Sequence, residues 1–120
     1  MRIVDRKTFL AMPAGTVFSK YWPCIFDGPN ILIGFREDTG YGSDIIYQDI
    51  QAPVDQPPGT DYADQCGKAI ADDVPLVFDK SNTSRDDDCG NNSQLFAVWS
   101  RQDVAALIAR LTECLAETGT

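Results

Sequence analysis

The sequence predicts an α+β fold: a single domain over residues 1–120 with one mostly antiparallel sheet of about four or five strands and two or three packed helices. Three observations lead to this fold class. The 120 residues suit one hydrophobic core. Adjacent strand-like segments separated by turn residues in the first half favour antiparallel hairpins. A strongly amphipathic segment near the end has one apolar face to bury against a sheet.

In the first half, Asp5 is placed to cap a short helix over 6–12, which Pro13 ends. Three segments are rich in β-branched and aromatic residues and are predicted as strands: 16–22, 31–36 and 45–50. The cluster DGPN at 27–30 is typical of a turn between the first two of them. The three strands are therefore predicted to form an antiparallel meander.

In the second half, a proline-rich connector over 52–60 leads to a helix over 61–72 with Thr60 as its cap. A short edge strand is predicted over 76–79, since Pro75 cannot donate to a ladder. The very polar segment 81–93 is predicted as a surface loop.

The end of the chain has the clearest pattern. Residues 95–99 are apolar on both faces, as expected of a central strand. Ser100 and Asp103 resemble a capping box at the start of a helix over 101–117. Apolar side chains recur along this helix at helical spacing: Val104, Leu107, Ile108, Leu111, Cys114 and Leu115.

Charge is the strongest compositional signal. The chain has 10 basic and 18 acidic side chains, a net charge of −8. Residues 1–36 have five basic and two acidic side chains, hence +3, whereas residues 37–120 have five and sixteen, hence −11. Such a chain repels nucleic acid and anionic lipid and is attracted to basic surfaces. We therefore expect a protein partner with a basic surface, and neither direct nucleic-acid nor membrane binding; solubility alone is the alternative reason for the charge.

The cysteines and the missing histidine restrict the chemistry. Four cysteines stand at 24, 66, 89 and 114 with no close pair, and there is no histidine. Neither a zinc site nor a disulfide framework is predicted, and no cofactor. Cys66 and Cys114 occupy apolar helix positions, where cysteine is usually a small core residue. The opening residues lack a signal-peptide pattern and no apolar run could cross a bilayer, so we expect a cytoplasmic location.

Two sets of residues are candidates for binding. The acidic pairs and runs Asp72, Asp73, Asp86, Asp87 and Asp88 are candidates for docking onto an Arg/Lys cluster of a partner. A solvated loop is the alternative for the last three, and their spacing does not match an EF-hand. The second set, for a small anionic ligand, is Arg36, Gly40, Tyr41, Gly42 and Trp22. Glycine lets the backbone approach a ligand, aromatic rings stack on a base and arginine binds phosphate; a plain hairpin loop is the alternative there.

Catalysis has little support. The sequence contains no G-x-S-x-G, no Walker motif, no dinucleotide fingerprint and no Cys-His or Ser-His set. Paired carboxylates such as Asp61 and Asp64 are more simply explained as charges of a first helical turn. We expect a protein that is not an enzyme, with a small accessory enzyme as the least supported alternative.

The N-terminal third, DRKTFLAMPAGT at 5–16 followed by FSKYWPC at 18–24, resembles the opening of small uncharacterised proteins encoded by tailed phages. The resemblance implies a genomic setting in which short, acidic, cytosolic accessory proteins often inhibit host defence. Such inhibitors include anti-CRISPR proteins and sponges that sequester nucleotide second messengers. The leading hypothesis is an inhibitor that occupies a basic, nucleic-acid-binding surface of a host complex; a nucleotide sponge, with its pocket between the subunits of a possible homodimer, is the alternative.

Overall fold

The computed structural model describes residues 1–36, 44–51, 59–79, 83–86 and 93–118. The strands are β1 Arg2–Val4, β2 Val17–Trp22, β3 Ile25–Arg36, β4 Asp44–Asp49, β5 Ser84–Asp86 and β6 Leu95–Val98. The helices are α1 Arg6–Phe9, α2 Tyr62–Ala71 and α3 Arg101–Thr118. The predicted α+β class with one antiparallel sheet is confirmed.

The strands form one sheet in the order β1-β6-β2-β3-β4-β5, and every neighbouring pair is antiparallel. The predicted meander is present as β2, β3 and β4, and β6 is an inner strand as its apolar sequence indicates. The described part of the sheet has six strands because β1 and β5 add a three-residue strand at each edge. Strands this short show no alternation in the sequence.

The turn predicted at 27–30 is wrong. The chain reverses at Pro23 and Cys24, because Trp22 already pairs with Ile25. Cys24 has φ 66°, and proline followed by a residue with positive φ fits a type II turn. Residues 27–30 lie inside β3, where the register against β2 shifts between Phe18 and Lys20. A bulge accommodates the Gly28–Pro29 pair, which would otherwise interrupt a regular ladder.

Three expectations for the second half also fail. No strand forms over 76–79, where Phe78 makes only an isolated bridge. An edge strand, β5, forms instead within the segment predicted as a loop, and it pairs with β4 from Ile45 opposite Asp86 to Tyr47 opposite Ser84. The cap of α2 is Asp61 rather than Thr60, since the Asp61 carboxylate accepts the backbone N–H of Ala63 at 2.8 Å.

The core lies on one face of the sheet under α1. The buried apolar side chains are Val4, Phe9, Phe18, Leu32, Ile45 and Phe96. Phe9 is the contribution of α1, and its ring stacks on Phe96 with the ring centroids 4.1 Å apart. The cap predicted for this helix is confirmed, because the carboxylate of Asp5 accepts the backbone N–H of Thr8 at 2.8 Å. The four-residue α1 is therefore the helix that covers the described core.

The two longer helices differ from the expectation that they pack on the sheet. Neither α2 nor α3 has a buried residue in the described part of the chain, and Cys66 and Cys114 are half-buried rather than in a core. The capping box of α3 is confirmed: the backbone N–H of Ser100 donates to Asp103 at 2.8 Å, and that of Asp103 donates to Ser100 Oγ at 3.1 Å. Among the described helices, none has the length and apolar character needed to cross a bilayer.

Candidate functional site

The acidic residues singled out from the sequence fall in two places. Asp72 is the C-cap of α2 and Asp73 follows it with φ 54°; both are exposed. Asp86 is the last residue of β5, opposite Ile45 of β4. Asp87 and Asp88 lie outside the described residues. The structure thus assigns a position to three of the five.

Asp72 and Asp73 belong to a longer surface, residues 61–79, which we call the acidic segment. It contains α2 and the chain that follows it, with five aspartates against one lysine, a net charge of −4. None of its described residues is buried. Large apolar side chains stand exposed among the carboxylates: Ile70, Val74, Leu76, Val77 and Phe78. Ile70 is 86% exposed and Phe78 is 69% exposed, so this is apolar surface that the chain itself leaves uncovered.

The acidic segment has the composition of a protein-binding surface. Contiguous exposed apolar side chains are uncommon on monomers and mark interaction sites. An apolar centre with a charged rim is the usual organisation of an interface, and carboxylates accept strong hydrogen bonds from Arg and Lys. Sequence reasoning identified the charges and missed the apolar half, because it assigned residues 76–79 to a strand edge and the apolar stripe of α2 to the core.

The first turn of α2 lies near the end of β4. The negative charge that Cys66 carries as a thiolate, and next a hydrogen bond with Cys66, raise the pKa of Tyr62; burial and the carboxylate of Asp49 act in the same direction. Asp49 is the last residue of β4. The acidic segment therefore starts beside the sheet and continues outward into exposed chain.

Of the candidate ligand-binding residues, the structure describes Trp22 and the backbone of Arg36, which lie far apart within one chain. Trp22 is at the β2–β3 turn, 42% exposed, whereas Arg36 is at the other end of β3. Eleven steps of extended chain lead from Ile25, which pairs with Trp22, to Arg36, a distance on the order of 30 Å. Gly40, Tyr41 and Gly42 lie outside the described residues. The grouping of the five residues in one ligand site stays a prediction.

The register instead brings Arg36 close to acidic positions. Arg36 is opposite Asp44 on β4, and Asp86 on β5 is opposite the next residue, Ile45. The backbone of Arg36 is therefore at the same end of the sheet as two aspartates.

A groove lies between the first turns of α3 and the chain leading from α1 into β2. Its volume is about 600 Å³, and its apolar walls include Met12, Pro13, Val104 and Ile108. Of the side chains that line it, Arg101 alone is charged. These walls offer packing surface for an apolar group.

Within the ranges that the structure describes, no three of the metal-binding residue types come together as a possible cation site. Comparison with family models, with curated proteins and with solved structures finds no match to this chain.

Proposed function

We propose that this chain is a non-enzymatic acidic binding protein that occupies a basic, nucleic-acid-binding surface of another protein. The observation that carries the proposal is the acidic segment, where exposed Ile70, Val77 and Phe78 stand among aspartates. Exposed apolar surface supplies affinity, and the carboxylates select a partner rich in Arg and Lys.

The distribution of charge supports the same class of partner. The net charge of −11 over residues 37–120 gives most of the chain a field of the sign that phosphates create. A protein surface that evolved to bind nucleic acid attracts such a chain and can be blocked by it. The resemblance of residues 5–24 to phage proteins supports a particular setting: a phage-encoded, anti-CRISPR-like inhibitor acting on a host-defence complex in the host cytoplasm.

The alternative, a sponge for a nucleotide second messenger, has less support. Its cation Arg36 is placed opposite Asp44, and Trp22 is the last residue of β2, paired with Ile25 at the other end of β3. Thermal unfolding with and without a panel of cyclic nucleotides separates the two proposals. Stabilisation by a nucleotide at micromolar concentration supports the sponge, whereas an unchanged Tm supports the protein-binding proposal.

A capture experiment tests the role of the acidic segment. The immobilised chain is exposed to nuclease-treated bacterial host lysate, and the retained proteins are eluted with rising salt. The rate at which a retained protein associates with the chain is then measured. The variant Asp72→Asn/Asp73→Asn removes two charges with little change in shape, and asparagine tolerates the positive φ at position 73. We expect steep salt dependence for the wild type and an association rate reduced several-fold in the variant.

The matched control, Asp27→Asn/Glu117→Gln, removes two negative charges from exposed positions outside the acidic segment. Its association rate should stay close to that of the wild type. If both double variants slow association equally, only the net charge matters and the acidic segment has no specific role. Retention that is insensitive to salt contradicts the basic-partner proposal itself.

A further inference from the structure

Helix α3 presents an apolar stripe, formed by Val104, Leu107, Ile108, Leu111 and Leu115, of which the first two are half-buried and the other three are exposed. The helix has 18 residues and is therefore about 27 Å long. Ile108, Leu111 and Leu115 are 60%, 56% and 66% exposed. An amphipathic helix of this length is normally stabilised by burying its stripe, so the stripe lacks the cover that its pattern calls for.

The start of α3 is fixed to the sheet. The α-ammonium of Met1 lies 2.6 Å from the carboxylate of Asp103, which is also the capping partner of Ser100. The indole N–H of Trp99, just before the helix, donates to Ser19 Oγ of β2 at 3.1 Å. The helix is thus held at its N-terminal end, while the exposed leucines lie in its later turns.

Charge distinguishes this surface from the acidic segment. The side chains of α3 carry two positive and three negative charges, a net charge of −1. Arg110 is neutralised within the helix by Glu113 at 3.0 Å and Glu117 at 3.1 Å. A strongly basic partner would gain less electrostatic attraction from α3 than from the acidic segment, whose net charge is −4. A second copy of this chain instead brings an equal stripe that is nearly neutral.

The chain exposes more surface than a compact monomer of its mass. It has 8209 Å² of accessible surface, whereas a compact monomer of 13.2 kDa has roughly 6,400 Å². Its radius of gyration is 16.5 Å, against about 14 Å for a compact domain of this length. A standard interface takes about 800 Å² from each partner. The excess belongs to the whole chain, and the exposed side of α3 is one part of it.

We propose that the protein is a homodimer in which α3 packs antiparallel against α3 of a second copy. In this arrangement Val104 lies opposite Leu115 of the other copy, and Ile108 lies opposite Leu111. Antiparallel pairing also places the two sheets at opposite ends of the helix pair, which separates two chains of net charge −8. Parallel pairing would instead bring the two chains, each with a net charge of −8, side by side.

Sedimentation equilibrium of the full chain at 50 µM tests the proposal. The expected mass is twice 13.2 kDa. Leu111→Asp places a charge in the interface and should raise the dimer dissociation constant by about a hundredfold or more, giving a monomer. The matched control Ala109→Asp puts the same charge on the opposite side of the helix and should remain dimeric. Both variants should retain the wild-type circular dichroism. If the Leu111→Asp chain does not fold, the variant Leu115→Asp is used in its place.

Cross-linking tests the helix direction. In a chain whose four cysteines are replaced by serine, Val104→Cys and Leu115→Cys chains are prepared separately and then mixed under oxidising conditions. Antiparallel pairing predicts a covalent dimer from the mixture and none from either chain alone; cross-linking of each chain with itself contradicts it.

In the sedimentation experiment, a wild-type mass of 13.2 kDa at 50 µM, or an unchanged dimer in the Leu111→Asp variant, overturns the proposal.

Discussion

Gly28 is the residue at which the backbone of the sheet leaves no room for a side chain. Its φ is +147°, and a Cβ built there would lie 2.9 Å from the backbone oxygen of Phe18. Gly28→Ala should therefore destabilise the fold by about 1–3 kcal/mol, through backbone strain and displacement of β2. The free energy of unfolding from urea titration measures the effect.

Gly34→Ala is the matched control in the same strand. A Cβ at Gly34 meets no atom within 4 Å, and its φ is not in the left-handed region. This substitution should leave stability unchanged or raise it slightly. If the two variants are equally stable, the close approach between β2 and β3 at Gly28 is not a constraint on the fold.

At the residue scale, the sequence predicts features whose causes are local. Asp5, Ser100 and Asp103 cap helices as predicted, because a cap depends on residues two or three positions away. The reversal at Cys24 could not be predicted in the same way. The position of this reversal is set by the pairing of β2 with β3. The register of that pairing depends on a bulge beside Gly28, which cannot be read from a short stretch of sequence.

The start of α3 is an element whose stability should depend on pH. Hydrogen bonds from the α-ammonium of Met1 first, and from Ser100 next, lower the pKa of Asp103 from 3.8 to about 2. A carboxyl whose pKa is lower in the folded state stabilises that state fully above pH 3.8, and the contribution disappears as the pH falls toward 2.

The variant Asp103→Asn tests this dependence. At pH 6 it should be less stable than the wild type, and the difference should shrink as the pH falls from about 4 to 2. Urea midpoints of both chains across this range measure it, since acids common to the two chains cancel in the difference. A stability difference that stays constant from pH 6 to pH 2 contradicts the role given to the Asp103 carboxylate.

At the element scale, amphipathic periodicity predicted the helices but not what would cover them. The 3.6-residue pattern identified α2 and α3 nearly to their ends, yet neither stripe is buried in the described structure. Periodicity shows that a helix has an apolar face. What covers that face depends on where the fold places the helix. The apolar run at 76–78 shows the same limit, because hydrophobicity alone did not distinguish an edge strand from exposed chain.

At the scale of the whole molecule, the described residues form one small core and leave apolar side chains exposed on surfaces of different charge. The core under α1 fixes the sheet, the acidic segment carries −4, and the α3 stripe is nearly neutral. The excess of acid was evident from composition, and the proposed basic partner follows from it. The division of the exposed apolar side chains between these surfaces could not be predicted, because it depends on which of them the fold leaves exposed. If α3 pairs as proposed, each dimer presents two acidic segments and gains avidity for a repeated basic surface.

Displacement of nucleic acid tests the central claim most directly. A host protein captured by the immobilised chain is loaded with fluorescently labelled nucleic acid, and the free chain is titrated in at 50 and 150 mM salt. The account predicts release that is complete at a fixed ratio of chain to binding sites and weaker at the higher salt. A ternary complex that keeps its nucleic acid, or release that continues at far below one chain per site, would contradict it.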